Sequence, residues 1–170
     1  VFVRRITQQA TTFRMPHSID ISGKKRETRL PVESVIPLLQ KRLAKNNRLI
    51  LTAPPGAGKT TLIPLVLADE KWLAKKKIVM LEPRRLATKA AACRMADMIG
   101  EPVGKTVGYR MRMDKAVGLK TRIEVVTEGI LTRMMQNDPA LEDYGVVIFD
   151  EFHERSIHAD AGLAFCLDIQ

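Results

Sequence analysis

The stretch Ala53-Pro54-Pro55-Gly56-Ala57-Gly58-Lys59-Thr60 constrains the fold more than any other feature of the chain. It follows the aliphatic run Arg48-Leu49-Ile50-Leu51-Thr52-Ala53 and opens a helical apolar pattern over residues 59–69. A strand that turns through glycines into a helix is the setting of a Walker A loop. Glycines let backbone N–H groups close around phosphate oxygens with no Cβ in the way. The helix N-terminus adds unpaired donors and the positive end of its dipole. Pro55, Gly56, Ala57, Gly58, Lys59, Thr60 and Thr61 are thus the expected nucleotide-binding residues. Lys59 would reach the β- and γ-phosphates and stabilise charge during transfer, and the Thr60 hydroxyl would take one position on Mg²⁺. The strict pattern has glycine at position 53, where this chain has Ala53. A methyl group is tolerable there if the residue still ends the strand with negative φ.

Short aliphatic runs recur after the loop. Residues 78–82, 107–112, 122–126 and 146–150 read as strands, and 84–99, 128–136 and 157–169 as helices. A further helix is expected over 32–43. This alternation predicts βαβ units and a mostly parallel sheet flanked by helices, an α/β fold of the P-loop NTPase class. No internal repeat is visible.

The run Val146-Val147-Ile148-Phe149 ends in Asp150-Glu151-Phe152-His153. The sheet would bury the four apolar residues and release both acids at its C-terminal edge, where open α/β sheets bind ligands. Asp150 would hold Mg²⁺ and Glu151 would orient and deprotonate the attacking water. Read alone, the same pattern is an acidic loop after a buried strand. The phosphate loop about 90 residues earlier favours the catalytic reading.

The chain has 170 residues and a formal net charge of +9. Residues 1–29 hold seven basic groups against two acidic ones, so more than half of the excess lies there. This segment shows no helical or strand period and reads as a disordered basic leader, or as sequence upstream of a true start at Met15. The folded domain is expected over residues 30–170. Bulk charge therefore says little about a nucleic-acid partner. The two cysteines, Cys93 and Cys166, form no CxxC pair and suit a reducing, cytoplasmic setting. No apolar run approaches a membrane span.

The order of Walker A and Asp150-Glu151-Phe152-His153 resembles the DExH/DEAH branch of superfamily 2 helicases. Pro83-Arg84-Arg85-Leu86-Ala87-Thr88 looks like motif Ia, and Val126-Thr127-Glu128-Gly129-Ile130-Leu131-Thr132-Arg133 like motif Ib. The wording Glu82-Pro83-Arg84-Arg85-Leu86-Ala87, Val107-Gly108-Tyr109-Arg110-Met111-Arg112 and Asp150-Glu151-Phe152-His153-Glu154-Arg155-Ser156 is similar to bacterial HrpB-type ATP-dependent helicases. The resemblance covers about residues 30–170 and implies a first RecA-like domain that binds ATP or another nucleoside triphosphate. It implies that Arg84, Arg85, Thr127, Glu128 and Gly129 hold the phosphate backbone of single-stranded RNA or DNA. His153 would couple the two sites, although a histidine after two acids also reads as a solvated partner of Glu151 or Glu154. Motif III and a second RecA-like domain with an arginine finger would follow in the family, and the sequence stops some 17 residues after His153. The chain is therefore expected to be a fragment that is no competent motor alone. Its sheet is expected to have a gap between the Walker A and Walker B strands, where the next strand belongs. The alternative is a P-loop module or small-molecule kinase with no nucleic-acid partner; the arginine pair and His153 weigh against it.

Overall fold

The computed structural model describes residues 2–5 and 30–168. Among the described residues seven strands form one sheet in the order β2-β1-β7-β3-β6-β4-β5. They are β1 (Phe2–Arg5), β2 (Arg48–Ile50), β3 (Lys77–Leu81), β4 (Val107–Met111), β5 (Asp114–Ala116), β6 (Ile123–Val126) and β7 (Tyr144–Phe149). β7, β3, β6 and β4 run parallel. β6 and β7 are buried at every residue, as their near-continuous aliphatic sequences require of strands covered on both faces.

Helices supply that cover. α1 (Ile36–Lys45), α2 (Lys59–Ala68) and α3 (Arg85–Met98) belong to one side, α4 (Glu128–Asn137) and α5 (Ile157–Asp168) to the other. Strand alternation divides the core accordingly. Ile78, Met80, Ile123, Val125, Val146 and Ile148 join the α1–α3 layer, and Val79, Leu81, Val126, Val147 and Phe149 join the α4–α5 layer. α2 is buried from Leu62 through Ala68, so its apolar surface runs all round the helix.

The expected mostly parallel α/β architecture is present, with three differences. The first helix begins as a tight 3-10 turn, Pro31–Val35, before α1. Pro37 accounts for the break, because its ring fits the first turn of a helix and clashes one turn deeper. A short strand, β5, folds back antiparallel on β4. The third difference is larger. Phe2–Arg5, at the start of the segment read as a disordered leader, is a strand between β2 and β7, antiparallel to both. The slot expected to be a gap is thus filled, and from the opposite end of the sequence. The remainder of the expected leader, residues 6–29, lies outside the described residues. Among the described residues no helix is long and apolar enough to cross a membrane.

Candidate nucleotide and nucleic-acid site

The phosphate loop runs from the end of β2 to the start of α2. Gly56 and Gly58 have φ of +73° and +91°, in the left-handed region that glycine enters without strain. A side chain at Gly58 would also push on Leu30, since an added Cβ would lie 2.7 Å from Leu30 Cδ1. The chain just before α1 braces the loop, with the Val32 N–H donating to the Ala57 carbonyl at 3.1 Å. Lys59 folds back across the loop and donates from Nζ to the carbonyls of Ala53 (2.6 Å) and Pro54 (3.0 Å). Its ammonium is thereby held at the mouth of the loop. β2 ends at Ile50, so Ala53 lies in the loop itself, and its φ is not positive, so the methyl group is tolerated there.

β7 delivers Asp150 to the same place. Asp150 is 2% exposed. Its Oδ2 accepts a hydrogen bond from the Thr60 hydroxyl, and its Oδ1 accepts from the Glu151 N–H at 2.9 Å. Neither donor is a cation. A buried carboxylate beside a threonine hydroxyl, with no cation among these partners, is a donor set that fits Mg²⁺. Glu151 has φ of +45°, a costly conformation for a residue with a side chain, and one that turns the backbone sharply after the strand. His153 is 77% exposed, with Nδ1 3.3 Å from Glu151 Oε2. Phe152 packs its ring edge-to-face on Phe149 at 6.0 Å, which gives the large side chain a place in the α4–α5 layer.

A third acid, not singled out from the sequence, closes this edge. Leu81 pairs with Phe149 in register, and the Asp150 N–H donates to the Leu81 carbonyl at 3.0 Å, so Glu82 comes beside Asp150. Glu82 is 4% exposed. Burial, followed by the charges of Asp150, Glu151 and Glu154, pushes its carboxyl up to about 7. The signal was legible: an acid ends an aliphatic strand here just as Asp150 does.

The residues expected to meet nucleic acid gather at the same sheet edge, but several have partners within the chain. Arg84, the residue before α3, forms a two-pronged ion pair with Glu154. Arg85 donates from Nη2 to the Arg112 carbonyl at 3.0 Å. Thr127 precedes α4 with no side-chain hydrogen bond to the helix end, and its carbonyl accepts from the N–H groups of Ile130 and Leu131. Glu128 accepts from the Ser156 hydroxyl at 2.6 Å. Gly129 is open to solvent, since an added Cβ would meet nothing within 4 Å. Arg155 binds Asp160 through Nε and Nη2 and lies 5.8 Å over the Phe152 ring. A cavity of about 180 Å³ joins the groups, and Arg84, Glu128, Asp150, Glu151, Glu154 and Arg155 all line it.

The sequence profile of the DEAD/DEAH box helicase family matches residues 33–161. ATP-dependent RNA helicase HrpB of Escherichia coli is 52% identical over 141 residues, which are 83% of this chain and 17% of that protein. The pre-mRNA-splicing factor ATP-dependent RNA helicase DEAH10 of Arabidopsis thaliana is 37% identical over 142 residues, 83% of this chain and 20% of that protein. A crystal structure of the E. coli DExH-box NTPase HrpB superposes with a TM-score of 0.81 at 51% identity, covering 86% of this chain and 18% of that one.

Proposed function

Because the chain belongs to the DEAD/DEAH box helicase family, we propose that it is the ATP-binding domain of an ATP-dependent RNA helicase, gripping single-stranded RNA through its phosphate backbone. It spans only 17% of the length of its E. coli relative; in this reading unwinding belongs to a larger assembly, to which family resemblance assigns a second RecA-like domain. The observation that carries the reading is the hydrogen bond from Thr60 to Asp150, which brings the start of α2 and the end of β7 together where a metal-nucleotide site would lie. Thr60 and Asp150 would hold Mg²⁺, which when bound neutralises charge on the phosphates. Lys59 meets the β- and γ-phosphates. Glu151 positions and deprotonates water, with His153 at its carboxylate linking it to the nucleic-acid edge. Arg84, Arg85, Thr127 and Gly129 offer forked and backbone donors to phosphates, which gives sequence-independent binding. Glu128 acts in this reading by holding Ser156. The unbridged Cys93 and Cys166 fit a cytoplasmic setting.

Against a kinase or nucleotide module without nucleic acid stands the arginine pair at a helix N-terminus, where positive charge opposes the dipole. Calorimetric titration with Mg-ATP tests the nucleotide half of the reading. Lys59→Ala should weaken binding at least tenfold, about 1.4 kcal/mol, and equal affinity for both proteins would refute the assignment of the loop.

A further inference from the structure

Arg84 and Glu154 are 70 residues apart in sequence and joined as a fork. Nη2 lies 2.7 Å from Oε1 and Nε 3.2 Å from Oε2. The Arg84 side chain is 72% exposed and that of Glu154 31%. Pairs this open add roughly 0–1 kcal/mol to stability, so packing gives little reason for the pairing. Its geometry gives another. A carboxylate takes a guanidinium in the same two-pronged way that a phosphate does. Glu154 therefore occupies the Nε–Nη2 edge of Arg84 and cancels its charge at the place where a nucleic-acid phosphate would bind. Arg85 differs, because its partner is the neutral Arg112 carbonyl.

Glu154 also sits on a connected segment. Two residues on, Ser156 donates to Glu128 and accepts from the Ala159 N–H at 3.0 Å, anchoring the segment to α4 and to the start of α5. Three residues back stands Glu151. The short stretch after the catalytic acids thus touches both nucleic-acid elements, once through an exposed exchangeable ion pair and once through a fixed hydroxyl.

We propose that Glu154 is a positioning residue for Arg84: its carboxylate stands in for a phosphate of the nucleic acid and is exchanged for one when the strand binds. The exchange frees Glu154 on the segment that carries Asp150 and Glu151, so gripping the strand alters the surroundings of the nucleotide site without moving the sheet. This rests on the proposed contact between Arg84 and phosphate.

The test is fluorescence anisotropy of a fluorescein-labelled oligouridine with the whole chain across a series of KCl concentrations. Glu154→Gln should bind about three- to tenfold more tightly than the parent, with a salt slope steeper by about one, the mark of one more phosphate neutralised. Glu154→Asp keeps the charge but shortens the reach, and should gain affinity in the same direction. In an Arg84→Ala background Glu154→Gln should gain nothing. Melting temperatures should stay within a few degrees for all variants, as the exposure of the pair requires. A gain with Glu154→Gln but none with Glu154→Asp would reduce the effect to general charge repulsion and overturn the proposal. So would an equal gain in the Arg84→Ala background. If Arg84→Ala weakens binding and Glu154→Gln does not strengthen it, only the role of Glu154 falls. If Arg84→Ala binds like the parent, or no protein binds at all, the phosphate contact falls with it.

Discussion

Thr60 and Asp150, ninety residues apart, meet through a hydrogen bond from the threonine hydroxyl to the buried carboxylate. A hydroxyl that bridges to a carboxylate can turn its oxygen to a cation while the acid supplies the charge. In Thr60→Val, which keeps the shape and loses the hydroxyl, ATP affinity measured with Mg²⁺ should fall at least tenfold, about 1.4 kcal/mol. Affinity measured in EDTA should barely change, and Thr60→Ser should behave like the parent. Calorimetry under both conditions separates the outcomes, and an equal loss with and without metal would contradict the metal role.

Glu82 makes stability depend on pH. Its carboxyl titrates near 7 when folded, above the ordinary 4.5, because of burial and the neighbouring acids. The folded chain therefore keeps this proton after the unfolded chain has lost it. The group costs nothing below about 4.5, and the folded state loses stability as pH rises from there to about 7. Glu82→Gln removes the cost. It should match the parent below about pH 4.5 and exceed it above about pH 7, by roughly 3 kcal/mol or about ten degrees in Tm. Melting curves across pH check this, and a variant less stable than the parent at high pH would show that the carboxylate is needed ionised.

Deleting residues 1–5 should lower the melting temperature. β1 pairs with β2 from Phe2↔Ile50 to Arg4↔Arg48 and with β7 from Phe2↔Phe149 to Arg5↔Val146. Its loss strips hydrogen-bond partners from both neighbours, at about 1 kcal/mol net for each bond. A fall of roughly ten degrees is expected. Differential scanning calorimetry reads it directly, and an unchanged midpoint would mean that β1 adds nothing to the sheet.

Turnover by the chain alone should be near background. Glu151 can position water, and Thr60 with Asp150 can hold the metal. An arginine on the developing charge is worth about 10³–10⁵ in rate, and the arginines nearest these motifs are engaged: Arg84 with Glu154 and Arg155 with Asp160. By family resemblance that arginine belongs to the second RecA-like domain. Steady-state phosphate release, with Glu151→Gln as the blank, should stay below about 1 s⁻¹ and show no response to single-stranded RNA. Faster release that is raised by RNA and lost in the blank would show that this chain supplies its own arginine.

What was legible in the sequence follows from the range of the forces involved. The phosphate loop, the acids at the end of β7 and the buried strands are written in local patterns, glycines before a lysine and aliphatic runs that end in carboxylates. β5 was missed because its turn places Met113 at φ of +65° without the glycine or asparagine that announces such a turn. β1 was missed because the local pattern of Phe2–Arg5 does not announce a strand; two ladders with β2 and β7 make it one. Glu154 and Ser156 were missed as partners of Arg84 and Glu128 because those contacts exist only once β3, β6 and β7 lie side by side.

The place of β1 also sets a schedule for the ribosome. Its two partners emerge at very different times, β2 by residue 50 and β7 only by residue 149. Through most of synthesis the first strand can have one neighbour at best, and the β2 edge waits unjoined to β3, β6 and β4. Contacts of such long sequence separation close late and slowly. The nucleotide pocket is thus among the last parts of the domain to form, and until then the nascent chain exposes an unpaired strand edge that a chaperone or a neighbouring nascent chain can recognise.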